Sequence, residues 1–220
     1  MNIVNYSSLF ALSIACLFNS VTMISFIHLL IFFFFSVSEP IYECNDCCSC
    51  EKSCINRVVQ IPTSLTFNIV DCKLKGHGLT CSQNITKGTF VIEYVGKRIT
   101  EDEAKAQLEC EEACDCYLYV LVEHFGETER SFYIDARHEG NTARFINHSC
   151  QPNLEMIPVR VNEQDPHFAL FALKDISAGS ELTFSYGHTN LIGNEQQMKK
   201  CLCQSNNCSG LLPFTALRFI

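Results

Sequence analysis

The cysteines are the clearest sign of metal-binding or disulfide chemistry in this chain, because fifteen of them occur among 220 residues. Most fall into an early and a late group: Cys44, Cys47, Cys48, Cys50 and Cys54, then Cys201, Cys203 and Cys208. Thiolates this close in sequence converge easily on one zinc ion in a reducing compartment, whereas in an oxidising compartment they would form disulfides. The odd total excludes complete intramolecular pairing, and the clustering favours zinc.

The composition is typical of a globular protein with an acidic balance. Hydrophobic residues make up 47% of the chain and charged residues 18%, which argues against wholesale disorder. The formal net charge of -8 argues against a protein that grips nucleic acid through its phosphates, so we expect no sequence-specific nucleic-acid binding. An acidic surface suits a basic partner, and a lysine-rich peptide tail is one such partner.

Residues 1–38 contain no Asp, Glu, Lys or Arg, and the run from Leu9 to Val37 is long and apolar enough to span a bilayer. A secretory signal peptide fits less well, because its usual basic start is missing. The segment is therefore either a membrane anchor or translated sequence that is not native. The run of phenylalanines at 32–35 is what a translated pyrimidine-rich intron end would produce, and the sequence leaves both alternatives open.

The elements that must position any site are predicted from the chain after residue 40, where short apolar runs alternate with Gly, Asn and Pro. This pattern indicates a mostly β, α+β domain. The predicted strands are residues 90–95, 117–122, 132–134, 159–161, 167–173 and 181–186. One helix is predicted to begin at Thr100, because Thr100 and Glu103 have the spacing of a capping box. Its acidic surroundings, residues 101–115, are either a solvated face or a docking surface for a basic tail.

Residues 140–153 read Gly-Asn-Thr-Ala-Arg-Phe-Ile-Asn-His-Ser-Cys-Gln-Pro-Asn, which resembles the R-F-I-N-H-S-C-x-P-N signature of SET-domain lysine methyltransferases. Other blocks resemble the same family in the same order: Gly76-His77-Gly78, Gly88 to Gly96, Tyr133 to Ala136, Glu181 to Gly187 and Cys201-x-Cys203-x4-Cys208. The resemblance covers residues 41–214. It implies a SET-domain fold of short β-sheets with a threaded C-terminal segment, a zinc-bound post-SET segment and a partial pre-SET segment.

The resemblance implies four regions. Residues 1–38 are the apolar segment, 39–60 the partial pre-SET, 61–188 the SET domain and 197–214 the post-SET. The implied location is the nucleus, on chromosomal chromatin, with a membrane only if residues 1–38 are genuine. The implied partner is a histone tail peptide or a nucleosome.

The implied reaction is methyl transfer from S-adenosylmethionine to a protein lysine. Its catalysis depends on alignment and electrostatics rather than on a covalent intermediate. The resemblance assigns the catalytic hydroxyl to Tyr186 and a second place in the lysine channel to Tyr133. Phe184 stands where the family carries Phe or Tyr, and Phe there implies di- or trimethylation. Ser185 replaces the usual Asp beside the catalytic tyrosine.

The cofactor-binding residues implied by the resemblance lie in four places: Lys75, Gly76, His77 and Gly78, then Tyr117, then Arg144, then Asn147 and His148. Glycines in the first block permit close approach of the backbone to a ligand. Asn147 and His148 are placed against the adenosine and methionine parts, and Arg144 is expected to orient the loop. His77 stands where the family often has Trp.

The implied zinc ligands form one complete set and one incomplete set: Cys150, Cys201, Cys203 and Cys208 in the post-SET, and Cys44, Cys48, Cys50 and Cys54 in the pre-SET. A closed four-thiolate site is structural rather than catalytic. The family's pre-SET cluster uses nine cysteines and three zinc ions, which this chain does not supply. Its four matching cysteines hold a single zinc ion or none.

Two alternatives to an active methyltransferase stay open at this level. One is a SET fold that binds peptide or cofactor without turnover, as the truncated pre-SET suggests. The other is a membrane-anchored cysteine-rich protein, which depends only on residues 1–38.

Overall fold

The computed structural model describes residues 41–109, 117–125, 128–162, 165–187 and 199–212. The apolar segment 1–38, expected to be a membrane anchor or non-native sequence, lies outside them. Within these ranges no helix has the length and apolarity that a bilayer crossing requires. The described residues divide into two units: the smaller comprises those within Met1–Pro62 and Ile157–His167, and the larger those within Thr63–Met156 and Phe168–Ile220.

The described residues form eleven short strands and one α-helix, in chain order. They are β1 (Ile41–Tyr42), β2 (Phe67–Asp71), β3 (His77–Cys81), β4 (Phe90–Glu93), β5 (Gly96–Ile99), α1 (Glu101–Glu109), β6 (Leu118–Phe125), β7 (Thr128–Gly140), β8 (Asn147–His148), β9 (Leu154–Arg160), β10 (His167–Ala172) and β11 (Glu181–Phe184). Two 3₁₀ turns, Lys73–Lys75 and Thr142–Phe145, precede β3 and β8. The predicted mostly β fold is confirmed.

In the larger unit, strand β11 is one of the two inner strands of a sheet with the order β2-β3-β11-β8. It pairs with β3 antiparallel, with Leu182 opposite Leu79, and with β8 in parallel, with Phe184 opposite His148. Leu79 and Leu182 are fully buried in the core of this unit. The hydrophobic contact of β3 with β11 thus fixes the position of β8 beside the end of β11.

A second sheet of the larger unit has the order β5-β7-β6. Helix α1 packs on this sheet through Ala104, which forms a small buried cluster with Val120 and Tyr133. At Gly96 the strands come unusually close, because a Cβ built there would lie 2.6 Å from the carbonyl oxygen of Asp135. Only glycine fits that position without a shift of backbone.

The smaller unit is organised around a buried carboxylate. Strand β1 pairs in parallel with the end of β9, where Ile41 lies opposite Val159. Glu43, which is 5% exposed, accepts hydrogen bonds from the backbone N–H groups of Val58 and Val59, both at 2.8 Å. Its second oxygen accepts from the Gln60 amide at 2.9 Å. These bonds supply the partners that a buried carboxylate requires.

The predicted strands at 90–95, 117–122, 132–134, 159–161, 167–173 and 181–186 are found as β4, β6, β7, β9, β10 and β11, with shifted ends. The sequence pattern did not reveal β1, β2, β3, β5 and β8. These are short, or contain Gly and Asn, and owe their extended form to the strands that pair with them.

The predicted helix is confirmed with its capping box. The Thr100 hydroxyl accepts from the Glu103 backbone N–H at 3.3 Å, and the Glu103 carboxylate accepts from the Thr100 N–H at 2.7 Å. The bonds that the carboxylate accepts from the backbone N–H and the hydroxyl of Thr100 hold the pKa of Glu103 below its ordinary value. Because both partners satisfy N–H groups at the helix start, the pair sets where α1 begins.

Replacement of this cap gives a test of its contribution. We expect Thr100→Ala to lower the free energy of unfolding by about 1 kcal/mol, since the helix loses a side-chain acceptor at its first turn. Urea unfolding followed by circular dichroism measures the change. Thr100→Ser, which keeps the hydroxyl, serves as the control and should stay close to the unchanged protein. Equal losses in the two variants would contradict this role of the hydroxyl.

Candidate active site

Tyr186 lies just after β11 in the larger unit, and its side chain is turned into the protein. Its hydroxyl donates to the carbonyl oxygen of Ile146 at 2.9 Å, and its ring packs on Phe184 with centroids 5.0 Å apart. Burial raises the pKa of Tyr186 well above its ordinary value, and the nearby Tyr117 adds to the increase. The hydroxyl is therefore neutral near pH 7 and acts as a fixed dipole.

Phe184 is the centre of an aromatic cluster at the end of β11. Its side chain is buried, and the rings of Tyr119 and Tyr94 lie 6.0 and 6.3 Å away. The Tyr94 hydroxyl donates to the carbonyl oxygen of Tyr117 at 3.0 Å. Rings in this arrangement form an apolar wall with polar tips, which disfavours a charged group nearby.

His148 connects Tyr186 to the late cysteines. Its Nδ1 accepts from the Tyr186 backbone N–H at 3.2 Å, and its Nε2 lies 3.4 Å from the sulfur of Cys150. Burial lowers the pKa of His148. A neutral ring whose Nδ1 accepts must carry its proton on Nε2, so His148 donates to Cys150.

The glycine-containing block forms the turn between β2 and β3, next to Asn147 of β8. Gly76 has a φ of 74°, and a Cβ built on it meets no atom within 4 Å, so its backbone is open to a ligand. The Asn147 amide donates to the carbonyl oxygen of His77 at 3.0 Å and to Glu181 at 2.9 Å. Lys75 forms an ion pair with the same Glu181.

The remaining cofactor candidates surround this turn. Arg144 donates to the carbonyl oxygens of Ala136 and Arg137, at 3.3 and 3.4 Å, and its guanidinium lies 4.9 Å from the centre of the Phe145 ring. The ring of His77 also packs on Phe145, edge to face, with the two ring centres 5.9 Å apart. Arg144 thus holds the 3₁₀ turn before β8 against β7.

Tyr133 lies elsewhere. It is on β7, where successive side chains point to opposite faces, so Ile134 enters the main core and Tyr133 packs against Ala104 of α1. The structure does not bring Tyr133 into the cluster around Phe184. Tyr94 and Tyr119 occupy that place instead. The signal for Tyr94 was its position in the Gly88 to Gly96 block.

The late cysteines converge. The sulfur atoms of Cys150, Cys201, Cys203 and Cys208 all lie within 4.8 Å of one another, and those of Cys150 and Cys201 are 3.8 Å apart. A tetrahedral ion with Zn–S bonds of about 2.3 Å needs sulfurs about 3.8 Å apart. The donor set therefore fits one zinc ion.

The early cysteines converge only in part. The sulfurs of Cys44, Cys50 and Cys54 lie within 4.8 Å of one another, and Arg57 donates to Cys50 at 3.8 Å. Cys48 does not belong to this group, because its sulfur points to the Asn45 side chain at 3.6 Å. Three thiols fit a zinc ion with one position left for another ligand.

The comparisons with known proteins agree with this arrangement. Residues 76–187 match the family model described as "SET domain". This match covers half of the chain, and it contains Tyr186, His148 and the turn at Gly76. The chain belongs to the SET-domain family.

Two curated relatives are histone-lysine N-methyltransferases by name. The chain is 39% identical to probable histone-lysine N-methyltransferase set-23 of Caenorhabditis briggsae, over 79% of its own length and 72% of the relative. It is 37% identical to histone-lysine N-methyltransferase SETMAR of Rattus norvegicus, over 80% of its own length. The chain spans 60% of that SETMAR protein, which is less than two thirds.

Two solved structures have the same fold. The methyltransferase domain of human SETMAR superposes with a TM-score of 0.71 at 35% identity, covering 80% of this chain and 68% of that one. Arabidopsis thaliana SUVH6, solved in complex with SAM, gives a TM-score of 0.68 at 32% identity, covering 79% of this chain and 38% of that one. The predicted SET-domain fold is confirmed.

Zinc analysis tests the late cysteine site. We expect Cys201→Ser to lose about one zinc ion per chain, because a serine oxygen is a poor replacement in a four-thiolate site. Metal content of the purified protein, measured by inductively coupled plasma mass spectrometry, gives the result. Cys47→Ser is the matched control, since Cys47 is exposed and outside both convergent sets. An unchanged zinc content in Cys201→Ser would refute the site.

Proposed function

We propose that this chain transfers a methyl group from S-adenosylmethionine to a lysine side chain in a histone tail. The observation that carries the proposal is the neutral hydroxyl of the half-buried Tyr186, which donates to Ile146 beside the aromatic wall around Phe184. An aromatic wall with one fixed hydroxyl suits an amine that must arrive uncharged and on axis.

The residues present fit the cofactor. Gly76 offers an open backbone, and the Asn147 amide lies against the same turn through His77. S-adenosylmethionine, when bound, supplies a methyl group on a positively charged sulfur. We assign its binding to Gly76, His77 and Gly78 with Asn147 and His148. Tyr117 and Arg144 complete the surroundings, the first at the rim near Tyr186 and the second by holding the 3₁₀ turn.

The side chains near Tyr186 prepare the lysine for transfer. A free lysine has a pKa of about 10.4 and is charged at neutral pH. The rings of Tyr94, Tyr119 and Phe184 offer no counter-charge, so burial there favours the uncharged amine. Tyr186 is itself protonated and donates to Ile146, so it orients the amine through its oxygen lone pairs rather than by removing a proton.

The late zinc site is connected to Tyr186 through His148. Cys150 follows His148 by two residues, and His148 in turn accepts from the backbone of Tyr186. A zinc ion on Cys150, Cys201, Cys203 and Cys208 would tie the late segment to this position. Metal binding is then coupled to the order of the active site.

The histone substrate is proposed from the relatives' names and from charge. Set-23 and SETMAR are named for histone-lysine methylation, and this chain carries a net charge of -8. Three acidic residues, Glu101, Asp102 and Glu103, occupy the first turn of α1. An acidic surface attracts a basic tail over a distance of about 10 Å at moderate salt. Location on chromatin in the nucleus follows from this substrate.

Removal of one hydroxyl tests the catalytic assignment. We expect Tyr186→Phe to reduce methyl transfer to histone H3 and H4 tail peptides about 100-fold or more, because the fixed dipole is lost while the ring remains. Transfer of label from radioactive S-adenosylmethionine measures turnover, and calorimetry measures cofactor affinity, which should stay unchanged.

Tyr42→Phe is the control, since Tyr42 lies in the smaller unit and is 39% exposed. It should leave turnover intact. Normal turnover of Tyr186→Phe would remove this residue from its role. A folded protein that binds the cofactor but labels no histone would support a binding module instead.

The degree of methylation is proposed from Phe184. A phenylalanine leaves room that a tyrosine hydroxyl would fill, so we propose di- or trimethylation. We expect Phe184→Tyr to shift the product toward monomethyl-lysine at similar total turnover, as read by mass spectrometry of the peptide. Phe171→Tyr, on β10 beside Phe90, is the control for an added hydroxyl. An unchanged product distribution in Phe184→Tyr would reject this interpretation.

A further inference from the structure

Glu181 is a residue that neither the family motifs nor the proposed chemistry assigns to the cofactor site. It is the first residue of β11, an inner strand of its sheet, and lies opposite Thr80 of β3. Its carboxylate is half-buried and meets three different groups. Oε1 accepts from the Asn147 amide at 2.9 Å and lies 3.4 Å from the thiol of Cys72, while Oε2 pairs with Lys75.

These three partners come from separate parts of the chain. Cys72 and Lys75 bracket the 3₁₀ turn that leads to Gly76, and Asn147 is on β8. Asn147 also reaches the carbonyl oxygen of His77 through the same amide nitrogen. One carboxylate therefore joins both ends of the turn to the strand that carries the asparagine of the cofactor site.

The residues around the Glu181 carboxylate are tightly packed at Gly78. A Cβ built on Gly78 would overlap the Cys72 thiol, and would lie 3.1 Å from the Asn147 amide and 3.2 Å from the Glu181 carboxylate. On the opposite side, Gly76 is open. The turn is thus fixed from within at Gly78 and free toward solvent at Gly76, which is where a ligand would approach.

We propose that Glu181 is a positioning residue that holds residues 72–78 against Asn147, and so keeps the backbone at Gly76 in place for S-adenosylmethionine. This inference rests on the proposed function. Lys75 then acts through Glu181, as the counter-charge that keeps the carboxylate in place, rather than as a direct cofactor ligand. Preorganisation of this kind lowers the ordering cost of binding.

The electrostatics agree with this role. Although burial opposes ionisation, hydrogen bonds from Lys75 and Asn147 lower the pKa of Glu181. Burial and the neighbouring Glu181 carboxylate raise the pKa of the Cys72 thiol, so it remains a neutral donor. One negative charge is thereby shared among a cation and two neutral donors.

Glu181→Gln tests the proposal, because it keeps the shape and one acceptor but removes the charge that pairs with Lys75. In the full-length protein without ligand, amide hydrogen exchange of residues 72–78 should become faster. Calorimetry with S-adenosylhomocysteine should show a Kd raised about tenfold, the change expected for loss of one charge-assisted hydrogen bond. The kcat at saturating S-adenosylmethionine should change much less than the Kd, because the carboxylate of Glu181 bonds to Cys72, Lys75 and Asn147 on the cofactor side of the site.

Two further variants separate this role from others. Glu101→Gln removes an ion pair of the same type, with Lys105 at 2.7 Å on α1, and should change neither exchange in 72–78 nor affinity. Lys75→Met should resemble Glu181→Gln, and the double variant should be no weaker than either single variant, because both break the same contact.

Exchange and affinity that match the unchanged protein in Glu181→Gln would overturn the proposal, as would additive losses in the double variant. The failure of the wider function looks different. If the proposed function fails, the unchanged protein itself does not bind S-adenosylhomocysteine. If only the role of Glu181 fails, the unchanged protein binds it and Glu181→Gln binds it with equal affinity.

Discussion

The parallel pairing of β8 with β11 is the contact on which the active site depends. Its ladder is short, and the side chain of Asn153 extends it. The Asn153 amide donates to the carbonyl oxygen of Glu181 at 2.8 Å, and its side-chain oxygen accepts from the Thr183 N–H at 2.8 Å. One buried asparagine thus takes the place of a further strand residue. It keeps β8, which carries the proposed cofactor residues, beside β11, which leads to the aromatic residues.

The distribution of charge around these two strands has a clear order. At the start of β11, Glu181 and Lys75 form an ion pair. At its end, Phe184 and His148 are buried and Tyr186 is half-buried, and burial disfavours the charged form of His148 and of Tyr186. A single strand of four residues therefore runs from a polar site to an apolar one.

Much of this site could be predicted from the sequence, since its residues lie in blocks with recognisable spacing. The late cysteines, for example, converge as their spacing indicated. The sequence could not predict which face of a strand a side chain occupies, or which residues it contacts. Tyr133 belongs to a matching block, yet alternation along β7 turns it toward α1. Cys48 fits the early pattern, but only Cys44, Cys50 and Cys54 meet. Glu181 gave no signal beyond its place in a block, because its role depends on contacts about 34 to 109 residues apart in sequence.

The long sequence separation between paired strands also affects how the protein folds during synthesis on the ribosome. Leu79 must wait for Leu182, and His148 for Phe184, before the sheet that contains them can close. Pairings this distant in sequence form slowly, since the intervening chain must be ordered first. Strand β3 can pair with β2 once both are translated, but its other edge, like β8, lacks its partner until residues 181–184 emerge. A nascent chain would therefore expose one edge of β3 until β11 is made, and such unpaired edges favour aggregation.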